Sequence, residues 1–472
     1  MIGRKKEKER LLKALLSRES EFIAIYGRRR VGKTYLVRET FNDEFAFQHT
    51  GLANTPLRRQ LQAFRSSLKS CGLVKCPALP DWLTAFEQLK ALLNGKPAGK
   101  KVVFIDELPW MDTPRSGFVS ALEHFWNGWA AWQTDIVFII CGSATSWIIN
   151  NVLKARGGLH NRVTQEMLLR PFTLMECEEY ASANGLAYTR PQITECYMAL
   201  GGVPFYWKYL ERGLSPAQNI DRLFMQPQAY LAREFETLYS SLFKNPQPYR
   251  EIVHELVKRK YGMSRRELSE STGITDNGVF TNYLEELEQC GFVRRYRLFG
   301  KAKNGMIYQL VDNYTRFHAD IISENKNDNP QFWTSIQGTP KYNSWKGLAF
   351  EMVCLEHIDQ MRNALGISGV VTNVCCWRSS KHTPGAQIDL LLDRNDGIID
   401  LCEMKYTQGA FALNDTEISE LCRKREVFRD ETKTKKAIHI ALVSANGIKE
   451  GTTTCEIQNF ISLDSLFTPL SN

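Results

Sequence analysis

Phe22-Ile-Ala-Ile-Tyr26-Gly27-Arg28-Arg29-Arg30-Val31-Gly32-Lys33-Thr34 is the stretch whose chemistry fixes the first part of the fold. An apolar run of strand length meets the pattern G-x-x-x-x-G-K-[ST], and a helical pattern follows to about Thr40. A glycine-containing turn between strand and helix lets backbone N–H groups close around phosphate oxygens, and the helix N-terminus adds a favourable dipole. Gly27, Arg28, Arg29, Arg30, Val31 and Gly32 therefore form the expected cradle. Lys33 would neutralise β- and γ-phosphate oxygens, and the Thr34 hydroxyl would ligate magnesium, so ATP and Mg2+ are the expected cofactors.

Outward from this loop, Val102-Val-Phe-Ile105 and Ile136-Val-Phe-Ile-Ile140 are further β-branched and aromatic runs separated by helical stretches. Up to about Phe172 this alternation predicts an α/β domain with a parallel sheet flanked by helices. The second run ends in Asp106-Glu107, at the strand edge where such sheets bind ligands. Asp106 is assigned to the magnesium ion and Glu107 to activation of the attacking water. Cys141-Gly-Ser-Ala-Thr145 places hydroxyls near the γ-phosphate, and Arg162 is the candidate arginine finger, with a surface arginine as the alternative.

Residues 174–245 lack strand runs and predict helices around Gly201-Gly-Val-Pro204, a lid on the nucleotide domain. Helix, capping-box helix from Ser264, the turn Thr272-Gly-Ile274, a helix from about Asp276 to Cys290 and two β-rich pieces (292–298, 306–310) predict a winged helix-turn-helix over 246–322. Arg265, Arg266, Asn277, Asn282, Arg294, Arg295 and Arg297 are its candidate DNA contacts, although Glu285, Glu286 and Glu288 oppose them. The polar run Ser323-Glu-Asn-Lys-Asn-Asp-Asn-Pro330 predicts a linker to a last domain, 335–472.

That last domain carries a second chemical signal. Gln387-Ile-Asp389-Leu-Leu-Leu392 and Ile398-Ile-Asp-Leu-Cys-Glu403-Met-Lys405 flank Asn395-Asp-Gly397, a strong hairpin turn. A hairpin symmetric about Asp396 sets Asp389 opposite Glu403 and Gln387 opposite Lys405, all on one face. Asp389 and Glu403 could then hold one magnesium ion, with Lys405 stabilising developing charge; a surface ion pair is the alternative.

Composition narrows the class. A chain of 472 residues predicts several domains. The start is charged and no apolar run approaches the ~20 residues of a membrane span, which predicts neither export nor a membrane. Twelve cysteines without a Cys-x-x-Cys pair indicate neither a zinc ribbon nor a disulfide framework and place the chain in the reducing cytoplasm. A net charge of +8 spread over this length decides little.

Ile2-Gly-Arg4 with Glu7, the arginine-rich loop, Ile-Asp-Glu, Cys-Gly-Ser, Arg170-Pro-Phe172 and Gly-Gly-Val-Pro-Phe-Tyr together resemble the archaeal-type ATPases of the AAA+/STAND group over residues 1–240, with an ATPase core at 1–173. The resemblance implies a nucleotide switch with Arg4 close to the base and Pro204 near the adenine. His160-Asn161-Arg162 stands where such proteins often carry Gly-Arg. Asp389, Glu403 and Lys405 resemble the motif of the PD-(D/E)xK nuclease superfamily, with Glu351 as its upstream glutamate and Ile388 in place of the usual proline. The combination resembles bacterial and archaeal ATPases with a nuclease-like C-terminal domain. It implies an ATP-controlled enzyme acting on DNA, with room for a protein trigger and for nucleotide-dependent homo-oligomers. A non-cleaving, ATP-dependent regulatory switch or DNA-binding regulator is the alternative.

Overall fold

The computed structural model describes residues 2–154, 158–159, 161–240, 242–243, 245–301, 305–379, 381, 384–407, 409–449 and 456–470. They divide into two compact units, Met1–Pro171 and Phe172–Asn472.

The first unit is built on β1 (Glu21–Tyr26), β2 (Phe47–Thr50), β3 (Lys101–Asp106), β4 (Ile136–Gly142) and β5 (Gln165–Leu168), all parallel, in the order β2-β3-β4-β1-β5. The central strands are apolar throughout because both faces are covered. Ile23, Ile25, Val137 and Ile139 pack with Leu11 and Ala14 of the helix Lys5–Leu16 and with Leu36 and Val37 of the helix Lys33–Thr40. On the other face Phe22, Val103, Ile105 and Phe138 meet Phe64, Trp82, Phe86 and Phe125 from the helices Leu57–Ser70, Trp82–Asn94 and Phe118–Gly128. Since β4 lies between β1 and β3, the loop after β1 and the acidic end of β3 flank the Cys-Gly-Ser end of β4.

The second unit opens with helices, including Leu174–Ala183, Arg190–Leu200 and Tyr230–Leu238. The helix Gln247–Lys258 follows, then β6 (Met263–Ser264), the helices Arg265–Thr272 and Gly278–Gln289, β7 (Val293–Leu298) and β8 (Met306–Leu310). Ser264 and Glu267 form the expected capping box. After the helices Asn313–Asp320 and Pro340–Glu356 come β9 (Thr372–Arg378), β10 (Gln387–Arg394), β11 (Ile398–Lys405), the helix Asp415–Thr432, β12 (Ala437–Ser444) and β13 (Asn459–Ser462).

All eight strands form one sheet, β13-β12-β11-β10-β9-β7-β8-β6. Its middle seam is the parallel pairing of Arg297 with Cys375 and Leu298 with Cys376. The segments 174–245, 246–322 and 335–472 thus lie in one unit and share one core, in which Leu200, Leu284, Phe317, Trp333, Phe350 and Leu390 all take part. The polar run 323–330 leads into a docked segment: Asp221 accepts from the backbone N–H groups of Trp333 (2.9 Å) and Thr334 (3.1 Å), and Trp333 is fully buried.

His357 ties two of these helices together. Its Nδ1 donates to Val353 O (2.8 Å), and its Nε2 accepts from the N–H of Leu174 (3.0 Å), so the ring must be neutral. Burial lowers its pKa from 6.5 to about 4. The unfolded chain takes up this proton more readily, so the contribution of His357 is complete above pH 6.5 and is lost as pH falls from 6.5 towards 4. The full span is worth roughly 3 kcal/mol. Denaturant titration between pH 7 and 4.5 is expected to show His357→Gln losing less stability on acidification than the wild type; equal losses would refute this.

Candidate functional site

The nucleotide-site residues predicted in the first unit are joined by direct contacts. Gly27 has φ +139°, and a Cβ there would lie 2.3 Å from the carbonyl oxygen of Leu169, so only glycine fits where β1 turns into the loop. Gly32, at φ +90°, caps the following helix. Lys33 is buried, and its ammonium donates to the carbonyls of Gly27 and Arg28, both at 2.9 Å. These donors point into the loop, where an anionic phosphate would be the stronger acceptor. The main chain of Arg28, Arg29, Arg30 and Val31 completes the turn. Arg4, itself buried, donates to Val31 O (3.4 Å) and Arg170 O (2.5 Å) and lies 3.7 Å from Glu7, so it braces the loop.

Thr34 Oγ1 donates to Asp106 Oδ2 at 2.7 Å, and the Glu107 N–H donates to Asp106 Oδ1 at 2.9 Å. A hydroxyl and a carboxylate oxygen from two rigid elements suit magnesium, a hard cation that keeps several waters. Glu107 has φ +47°, a conformation rarely held by a non-glycine residue and a common mark of functional sites. Its carboxylate accepts from Ser143 Oγ (3.0 Å) and the Ser143 N–H (3.3 Å). A cavity of about 600 Å³ opens beside Thr34 and Asp106, bordered also by Arg38, Gln48 and His49. Burial, then the Asp106 carboxylate, push the thiol of Cys141, the first residue of the Cys-Gly-Ser run, well up, so it stays protonated beside the site.

Arg162 is exposed in a turn, its backbone N–H bonded to Leu159 O (3.1 Å), and is not part of the Thr34–Asp106–Glu107–Ser143 chain; His160 lies outside the described residues. Pro204 begins the short helix Pro204–Trp207 in the second unit.

In the second unit the hairpin has the expected register, with Leu390 opposite Cys402 and Asp393 opposite Ile399. Leu391 and Leu401 pack with Phe428 of the helix Asp415–Thr432, while Leu390, Leu392, Cys402 and Met404 belong to the large core. Glu403 alternates with Leu401, but Ile388 and Leu391 both belong to the Phe428 cluster on either side of a bulge against β9, so alternation does not carry Asp389 onto the face of Leu391. Gln387 Nε2 donates to Asp389 Oδ1 (2.7 Å). Glu403 is held by Lys405 at 3.0 Å and by Lys424 at 2.9 Å, and Glu351 by Lys260 at 3.1 Å.

The electrostatics tie these groups into one cluster. Burial, then Asp389, raise the Glu351 carboxyl to about 7. Burial also raises Asp389, opposed by Gln387 and Lys260 and reinforced by Glu403. Burial works the same way on Glu403, but Lys424 and Lys405 outweigh it and bring its pKa below the ordinary value. Among the described residues no group of three or more His, Cys, Asp or Glu side chains is arranged to hold a metal ion. The donor set is a carboxylate pair, Asp389 and Glu403, which suits magnesium completed by water and substrate phosphate. Lys260 and Lys424 escaped sequence reasoning because they arrive from elements remote in the chain, at no motif spacing.

Most of the expected DNA-contact arginines have a partner within the unit, Arg266 and Arg295 through exposed pairs. Arg265 bonds Asp276 (2.6 Å), Thr281 Oγ1 (2.8 Å) and Asn277 O (2.9 Å), which makes it a brace between two helices. Arg266 pairs with Glu270 at 2.7 Å, Arg295 with Glu288 at 3.4 Å, and Arg294 bonds Gln309 at 2.9 Å. Asn277 caps the helix Gly278–Gln289, whereas Asn282 and Arg297 are exposed. No helix among the described residues is long and apolar enough to cross a membrane.

Residues 1–210 match the family model of an ATPase domain found predominantly in Archaea, so this part of the chain is an ATPase domain of that type. An uncharacterized protein of Methanocaldococcus jannaschii is 23% identical over 433 residues, covering 89% of this chain and 90% of its own. Among solved structures, the Walker-type ATPase PABY2304 of Pyrococcus abyssi is similar over 67% of this chain and 95% of its own, at 16% identity and TM-score 0.46. RuvB of Thermotoga maritima is similar over 65% of this chain and 92% of its own, at 17% identity and TM-score 0.34.

Proposed function

We propose that the chain is an ATP-hydrolysing switch of the AAA+/STAND kind whose second unit carries a metal-dependent nuclease-like site acting on DNA. The contact chain Thr34–Asp106–Glu107–Ser143 at the edge of a five-stranded parallel sheet is the observation that carries the ATPase part. Thr34 and Asp106 would hold magnesium, which neutralises charge on the phosphates; Lys33 binds the β/γ oxygens; Glu107, oriented by Ser143, accepts the proton of the attacking water. Arg162 is proposed as the finger, and Arg4 and Pro204 as neighbours of the base.

In the second unit, Asp389 and Glu403 would hold a divalent ion that activates water and steadies the leaving oxygen, with Lys405 beside the developing charge and Glu351 adjoining. The helices of 174–245 are proposed as the lid and residues 246–322 as a winged helix. The exposed Asn282 and Arg297 remain its candidate DNA contacts, while the internal pairing of Arg265 supports a structural share for this module.

The decisive experiment incubates purified chain with supercoiled plasmid, Mg2+ or Mn2+ and ATP, following phosphate release and nicking together. Phosphate release with metal-dependent nicking supports the proposal. Phosphate release without nicking at any metal concentration favours the non-cleaving switch, and absence of both overturns the function proposed here.

A further inference from the structure

From Phe45 to Pro80 the chain carries no Asp or Glu, while Arg58, Arg59, Arg65, Lys69 and Lys75 all fall within this stretch. All but Lys75 stand on the helix Leu57–Ser70, which turns Leu61, Phe64 and Leu68 into the core of the first unit. Arg58, Gln62 and Lys69 recur at helical spacing on the opposite face, with Arg59 and Ser66 beside them and Arg65 at the margin. The first five are exposed.

These charges are not neutralised within the fold. Among the described residues no carboxylate pairs with Arg58, Arg59 or Lys69, and Arg65 donates to the uncharged carbonyl of Cys76 (3.0 and 2.7 Å). In the second unit, by contrast, Arg265, Arg266 and Arg295 each face a carboxylate. The helix is also held firmly from behind. Gln60 accepts from the N–H of Leu52 (3.1 Å) and donates to Leu52 O (2.6 Å) and Trp110 O (2.9 Å), and Ser67 Oγ lies 2.9 Å from His49 Nδ1. The cations are therefore presented from a fixed rod, with Arg58 and Lys69 about 16 Å apart along its axis.

A row of uncompensated cations attracts an anionic partner, and the side chains between them say which kind. A protein partner needs an apolar or aromatic anchor at the centre of the contact, and Arg58, Arg59, Gln62, Ser66 and Lys69 supply none. Arginine, lysine, serine and glutamine are instead the side chains that bond phosphate oxygens along DNA without reading its sequence. We propose that the outer face of the helix Leu57–Ser70 is a contact surface for the phosphate backbone of duplex DNA. The proposal rests on the part of the reading above in which the chain acts on DNA, and it adds a backbone contact on the ATPase domain to the candidates within 246–322.

The test is fluorescence anisotropy of the full chain with labelled duplexes of two unrelated sequences, in EDTA, across a NaCl series. The triple variant Arg58→Ala, Arg59→Ala, Lys69→Ala should weaken both duplexes alike, by about tenfold or more near physiological salt, and make the slope of log affinity against log salt shallower by about 2 to 3. Alanine suits an exposed helix position, so thermal unfolding and ATP binding should stay as in the parent. If the triple variant unfolds as the parent and binds both duplexes with parental affinity and slope, this face is no DNA contact, whatever Asn282→Ala with Arg297→Ala does. If poly-glutamate at equal charge binds the face as tightly as DNA, the occupant is an acidic polypeptide and the assignment to DNA is overturned. If the parent binds no DNA even at low salt, the DNA part of the reading above fails, and this proposal with it.

Discussion

Lys33→Ala is expected to lower ATP affinity by at least about a hundredfold, on the order of 3 kcal/mol. The ammonium is buried within the loop, bonded to Gly27 O and Arg28 O, and an alanine there leaves the β/γ oxygens without a cation. Glu107→Gln should behave differently. The amide can still bond Ser143, so ATP binding survives, but the proton acceptor is gone and phosphate release should fall by roughly 10²–10⁴-fold. Calorimetry with a non-hydrolysable ATP analogue, paired with phosphate release, separates the two effects. Wild-type affinity in Lys33→Ala would refute the site.

Asp389→Ala and Lys405→Ala are expected to reduce metal-dependent DNA cleavage by about a thousandfold or more while leaving ATP turnover within about twofold. The first removes half of the carboxylate pair, and the second removes the cation beside Glu403. ATP turnover is spared because the residues belong to different units. Plasmid nicking and phosphate release measured on the same preparations decide it; nicking that persists in both variants removes cleavage from this site.

What the sequence made legible follows from the physics of each element. β1, β3 and β4 are buried on both faces, so their apolar runs stand out, and the loop after β1 needs its glycines for a backbone that side chains cannot adopt. β2 and β5 were missed. Both are short edge strands that pair on one side only; Phe47-Gln-His-Thr50 alternates buried and exposed residues, and Gln165-Glu-Met-Leu168 buries only Met167. The hairpin register was legible because the Asn-Asp-Gly turn fixes it and a slip would expose Leu391 and Leu401. Arg265 illustrates the opposite case. Its position at a helix start suggested a phosphate contact, but whether an arginine is consumed by a neighbouring Asp276 is a matter of tertiary distance. The continuity of the eight-stranded sheet was invisible for the same reason, since no local pattern records that Leu298 will lie beside Cys376.

That two-pair seam between β7 and β9 carries a mechanical consequence. Strands slide past one another in whole residues, and a one-residue slip turns every side chain to the opposite face, so the smallest register change that keeps Arg297 and Leu298 facing as they do is two residues, about 7 Å. Sliding of β7 along β9 therefore comes only in steps of that size, and a smaller displacement along the strand would have to part the seam rather than shift it.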